Sequence, residues 1–150
     1  MTVFGDLAEF TAAEGAELGP TDWLVVDQPR IDQFAQATDD HQWIHVDPQR
    51  AADGPYGRTI AHGLLTLSLL PLFMHGLYRV ENVTMAINYG FNKVRFITPV
   101  PVGSRLRATS TITDMVKLDG GAQATFTTTI EVEGVDKPAA VIESIVRYLA

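Results

Sequence analysis

Asp40 and His45 bracket the short run Asp40-His41-Gln42-Trp43-Ile44-His45. A carboxylate beside an imidazole can hold a water, take its proton and return one elsewhere, which is what general acid–base chemistry requires. On a continuous helix a five-residue separation sets the two about 140° apart, so they converge only if the chain leaves helix between them. The wider stretch TDDHQWIHVDP, residues 38–48, offers such a break ahead of Asp47-Pro48. Residue types alone leave three readings open. One is a solvated loop in which Asp40 makes an Asx turn and His45 is half exposed. Another is a metal site of His41 and His45 with Asp40 or Asp47. The third is a proton-transfer site. The metal reading lacks a helix through both histidines and the glutamate of the metalloprotease pattern, so no metal is expected.

The elements around this stretch must position it. Phe4 to Glu14 predicts a first helix, and WLVVD at 23–27 predicts a short strand from its aromatic and β-branched content. In PRIDQFAQAT, Pro29 can open a helix whose one face carries Ile31, Phe34 and Ala35. Asp47-Pro48 reads as a cap and first position of a short helix that stops at Gly54-Pro55. The run IAHGLLTLSLLPLFMHGLY, residues 60–78, predicts a buried helix from about Ala61–Gly63 to about Gly76, kinked at Pro71. His62, His75 and the mid-run proline argue against a membrane span.

From Thr84 onward the pattern changes to strands: MAINYGFNKVRF, SRLRATSTITDMVKL, QATFTTTIEVEG and AAVIESIVRYL, with a hairpin signal in DGG at 119–121. Ala124, Phe126, Thr128, Ile130 and Val132 alternate with polar neighbours, as in a sheet with one covered face. The expected architecture is α+β, one domain over residues 1–150, with a curved antiparallel sheet wrapped around a long central helix.

Composition narrows the function classes. The chain has 150 residues, 46% hydrophobic and 19% charged, too apolar and too weakly charged for a disordered chain. A formal net charge of −7 argues against nucleic acid as a partner. The absence of cysteine excludes disulfides, thiolate metal sites and a cysteine nucleophile, and fits a cytoplasmic protein. The start has neither a basic segment nor an apolar run suited to secretion, so the chain is expected to stay inside the cell. Lys93, Arg95, Arg105 and Arg107 form the densest basic cluster, either solvated on an outer sheet face or facing a phosphorylated ligand.

Phe34, Ala37, Asp40, Gln42, Ile44, His45 and Ala51 together resemble the hydratase 2 motif of the MaoC-like (R)-specific enoyl-CoA hydratases. IAHGLLTLSLLP is similar to the start of that family's central helix, and NYGFNKVRFITPVPVGSRLR to the strand pair after it, so the likeness spans about residues 24–110. It implies a hot-dog fold, a homodimer with its two sheets side by side, and addition of water to a trans-2-enoyl thioester. The substrate would be an acyl-CoA or an acyl-carrier-protein thioester, with no cofactor beyond the coenzyme A of the substrate. By the same resemblance Asp40 and His45 form the catalytic dyad, and the Gly63 backbone N–H polarises the thioester carbonyl. A free N–H at a helix start also suits developing negative charge on physical grounds.

Asp39 stands where the family has glycine, and Gln42-Trp43 where it has Asn-Pro; Gln42 keeps an amide and is a candidate substrate contact. His62 either bonds the neighbouring loop at the start of the helix or contacts the thioester, and Lys93 and Arg95 are candidates for the coenzyme A phosphates. A hot-dog thioesterase and a noncatalytic subunit of a heteromeric dehydratase are the competing functions.

Overall fold

The computed structural model describes residues 1–150. Four long strands make the sheet: β5 (Met85–Phe96), β6 (Arg105–Leu118), β7 (Gly121–Val132) and β8 (Ala140–Leu149). With β2 (Glu17–Leu18) the order is β2-β6-β7-β8-β5, every pair antiparallel, and β3 (Leu24–Val25) also pairs with β6. The β6–β7 hairpin turns at Asp119-Gly120, where Gly120 takes φ 72, a conformation that glycine adopts without steric cost.

Period-two alternation sends one face of these strands inward. Leu106, Ala108 and Ile112 on β6, Phe126 and Ile130 on β7, and Ala140 and Ile142 on β8 are fully buried. They close on a central helical segment made of α5 (Gly63–Ser68) and α6 (Leu70–Leu77), from which Leu65, Leu70, Phe73, Met74 and Leu77 are buried. This is the hot-dog arrangement: an antiparallel sheet wrapped around a central helix. Two of the polar groups that enter the core pair with each other, Ser110 Oγ with Thr128 Oγ1 at 2.8 Å, and Thr128 Oγ1 also faces Met74 Sδ at 3.7 Å.

The helix interruption falls at Leu69, two residues before the expected kink at Pro71, and the helix ends at Leu77, near Gly76 as expected. Proline has no N–H to give the Leu67 carbonyl, so the ladder fails in the turn preceding Pro71 and not at the proline itself. The expected helix from Phe4 to Glu14 is also corrected. Thr2–Phe4 is strand β1, parallel to β4 (Tyr78–Val80), and α1 covers only Leu7–Thr11. Asp6 caps α1 by accepting from the Glu9 N–H at 2.8 Å, while Phe4 packs edge-on against Phe10 and Tyr78. Pairing with β4 and this aromatic contact outweigh local helix preference. WLVVD contributes only Leu24–Val25 as strand.

Strand β5 is the outer strand of the sheet, paired only with β8 and bulged near Asn88–Gly90 and Phe91–Lys93. Met85, Ile87, Tyr89, Phe91 and Phe96 are all exposed along it.

Candidate active site

Helix α2 (Gln28–Thr38) delivers the chain to the site. Asp27 caps it by accepting from the Arg30 N–H at 3.0 Å, and Pro29 lies in its first turn, as the sequence pattern predicts. Asp39 ends it in the left-handed conformation at φ 58, which an aspartate tolerates better than most residues. The backbone leaves helix there and re-enters it at α3 (Trp43–Val46). That is the break Asp40 and His45 need in order to converge. Asp47 then caps α4 (Pro48–Ala52) by accepting from the Arg50 N–H at 3.1 Å.

His45 is held on several sides. Its Nδ1 lies 2.7 Å from the Ile60 carbonyl, and because a carbonyl only accepts, Nδ1 carries the proton and Nε2 presents a lone pair. The His45 carbonyl accepts from Gln28 Nε2 at 2.8 Å, and the Ile60 N–H returns a bond to the Ile44 carbonyl at 3.0 Å. Burial lowers the His45 pKa below 6.5 and is the largest influence. The Ile60 bond opposes it, the neighbouring His62 lowers it further, and the Asp40 charge raises it. Near neutral pH the imidazole is therefore a neutral acceptor.

Asp40 sits at the exposed side of the pair, with its carboxylate accepting from the Gln42 N–H at 3.4 Å. One polar side-chain atom each of Asp40, His45 and His62 lies within 4.8 Å of the others. The His45 and His62 rings are stacked, centroids 3.8 Å apart and 23° between planes. A set this close can hold one small species between its polar atoms, and the stacking packs the two imidazoles against each other. The metal set considered from sequence is not assembled: His41 is exposed and 4.0 Å from Asp39, and Asp47 is committed to its cap.

Gly63 opens α5 directly after His62, and its N–H has no backbone acceptor. The Phe96 ring lies against its Cα so closely that an added Cβ would stand 3.0 Å from the ring. A cavity of about 330 Å³ adjoins it, lined by Ile60, Ala61, Thr66, Phe96 and Val100 among others. Gln42 is exposed at the start of α3. Trp43, in place of the family's proline, turns away onto Gly54 and lies under the Arg50 guanidinium at 4.4 Å. Asp39 points into solvent, its side chain 95% exposed.

His62 is buried, and its Nε2 donates to the Asp40 carbonyl at 3.0 Å, the loop-bonding role of the two considered. Lys93 and Arg95 are not brought together with Asp40 and His45. Lys93 pairs across from Glu143 and Arg95 from Val141, on the sheet face turned away from the helix, around a separate cavity of about 340 Å³. Arg105 and Arg107 are taken up by Glu133 at 3.0 Å and Glu131 at 2.6 Å, with both guanidiniums near the Trp23 ring.

Sequence reasoning missed Gln28 and Thr59. The fully buried Thr59 donates its hydroxyl to Gln28 Oε1 at 2.5 Å, so the amide that holds the His45 carbonyl is itself fixed. Separations of 31 residues to Thr59 and 17 to His45 leave no local signal for this network.

A hot-dog fold with a carboxylate and a lone-pair imidazole beside a helix start defines the class. Residues 9–135 match the MaoC like domain, and the chain belongs to that family. It is 57% identical over 151 residues to 3-hydroxyacyl-thioester dehydratase Z of Mycobacterium tuberculosis, covering 100% of each chain. It is also 44% identical over 137 residues to Nodulation protein N of Rhizobium leguminosarum, covering 89% of this chain and 84% of that one. Among solved structures, the (R)-hydratase from A. caviae involved in PHA biosynthesis superimposes with a TM-score of 0.68 at 26% identity, over 89% of this chain and 94% of that one.

Proposed function

We propose that the protein is an (R)-specific enoyl-thioester hydratase, equally able to dehydrate the (R)-3-hydroxyacyl thioester, built as a single domain over residues 1–150 and working in the cytoplasm. The observation that carries the reading is the free Nε2 of buried His45 beside the Asp40 carboxylate. Likeness over its whole length to a 3-hydroxyacyl-thioester dehydratase supports it.

In this mechanism a water is held between Asp40 and His45. His45 Nε2 takes one of its protons as the water oxygen bonds to the β-carbon, and the π electrons move toward the thioester carbonyl oxygen. The Gly63 N–H donates to that oxygen while it carries negative charge. The proton that His45 took passes to the Asp40 carboxylate and from there to the α-carbon, which leaves both groups as they began, so the net change is addition of one water. Gln42, at the start of α3, contacts the substrate. Lys93 and Arg95, on the other sheet face, serve only the phosphate end of coenzyme A.

The exposed apolar edge of β5 supports a homodimer with the two sheets side by side. The test is incubation with trans-2-butenoyl-CoA, following loss of the conjugated thioester absorbance, the stereochemistry of the product and release of free thiol. An (R)-3-hydroxy product without thiol supports the proposal. Thiol release would make the protein a thioesterase, and no turnover across acyl lengths would make it a noncatalytic subunit.

A further inference from the structure

His62 breaks two local rules at once. It occupies the position before α5 where a short polar side chain is preferred, yet makes no capping bond there. Its Nε2–H is given to the Asp40 carbonyl, which leaves Nδ1 as an acceptor, and that Nδ1 is buried with no partner. An unsatisfied buried polar atom is destabilising, and such concessions are expected where a residue serves a site rather than the fold. The ring is also packed against two others: His45 lies flat against it at 3.8 Å and Phe34 is tilted against it at 4.9 Å.

We infer that His62 is the positioning residue that locks Asp40 to His45, holding the Asp40 backbone through Nε2 and the His45 ring through its flat face. Asp40 follows a left-handed residue in a stretch between two helices, and among the hydrogen bonds from side chains outside that stretch it is the His62 bond that reaches its backbone. His45 is fixed from its far side by Ile60 and Gln28. His62 is thus the link between the rigid half of the dyad and the loop half. The inference deepens the hydratase reading and rests on it for its kinetic test.

Two variants separate the bond from the bulk. His62→Phe keeps a flat ring but loses the donor, whereas His62→Gln keeps an amide N–H that can reach the Asp40 carbonyl. With trans-2-butenoyl-CoA, His62→Phe is expected to lose about 100-fold in kcat with KM within about threefold, and His62→Gln to recover most of it. Hydrogen exchange of the backbone amides of residues 39–42 reads the hold on the loop independently of turnover. Exchange is expected to be faster in His62→Phe and close to wild type in His62→Gln. An inactive wild type would sink the hydratase reading, and exchange would still decide whether His62 holds the loop. A drop in melting temperature alone, with kcat and exchange unchanged in His62→Phe, would overturn the inference and leave His62 a packing residue. A rise in KM in both variants without loss of kcat would overturn it in favour of substrate contact.

Discussion

Replacing Gln28 with alanine should damage both stability and catalysis, because one amide holds two groups that have no other partner. Its Nε2 donates to the His45 carbonyl at 2.8 Å and its Oε1 accepts from the buried Thr59 hydroxyl at 2.5 Å. Leaving a buried donor or acceptor unpaired costs about 1–3 kcal/mol, so two such groups would cost about 2–6 kcal/mol. Gln28 is itself only half-buried, and water entering the vacated space places the expected loss at the lower end, about 2–3 kcal/mol. In a chain of this size each kcal/mol lowers the melting temperature by about 2–4 °C, giving a drop of about 5–10 °C by calorimetry. His45 also loses one of its hydrogen-bonded anchors, so kcat should fall at least tenfold, given that a displacement of about 1 Å can cost about 100-fold. Thr59→Val removes the hydroxyl that Gln28 accepts from, and the double variant should cost less than the sum of the singles. A Gln28→Ala protein that melts within about 1 °C of wild type and keeps its kcat would refute the reasoning.

The lowered His45 pKa gives a pH dependence of definite sign. The unfolded chain takes up this proton near pH 6.5 and the folded chain only at lower pH, so the contribution is complete above 6.5 and is lost as pH falls through the folded value. Urea midpoints should fall as pH drops below about 6.5, with a shallower fall in His45→Gln, and the acid limb of kcat/KM should lie below 6.5. Placing charge on the β5 edge with Ile87→Asp and Phe91→Asp should halve the mass in sedimentation equilibrium; a wild-type protein already monomeric would contradict the edge-paired dimer.

The local signals in the sequence were reliable where chemistry is local. Pro29, Asp47 with Pro48, and the alternation through Phe126 and Ile130 each predict the element that forms, because helix starts and period-two burial depend on neighbours in the chain. The departure from helix between Asp40 and His45 followed from the same reasoning. What failed depends on distant partners: Phe4 became a strand residue because β4 and Tyr78 receive it, and Gln28 meets Thr59 only after folding. Lys93 and Arg95 share a strand with Phe96, which lies against Gly63, but the strand's alternation turns their side to the other face. The unpartnered Nδ1 of His62 is likewise a property of the packed site and has no signature in residue types.

The most direct test of the account is the turnover of trans-2-butenoyl-CoA by wild type, Asp40→Asn and His45→Gln, each shown to be folded by its melting curve. The account predicts an (R)-3-hydroxyacyl product from wild type and losses of about 100-fold or more in both variants, since positioned acid–base groups contribute on that scale. Either variant retaining near wild-type turnover would contradict the assignment of Asp40 and His45 as the water-holding pair.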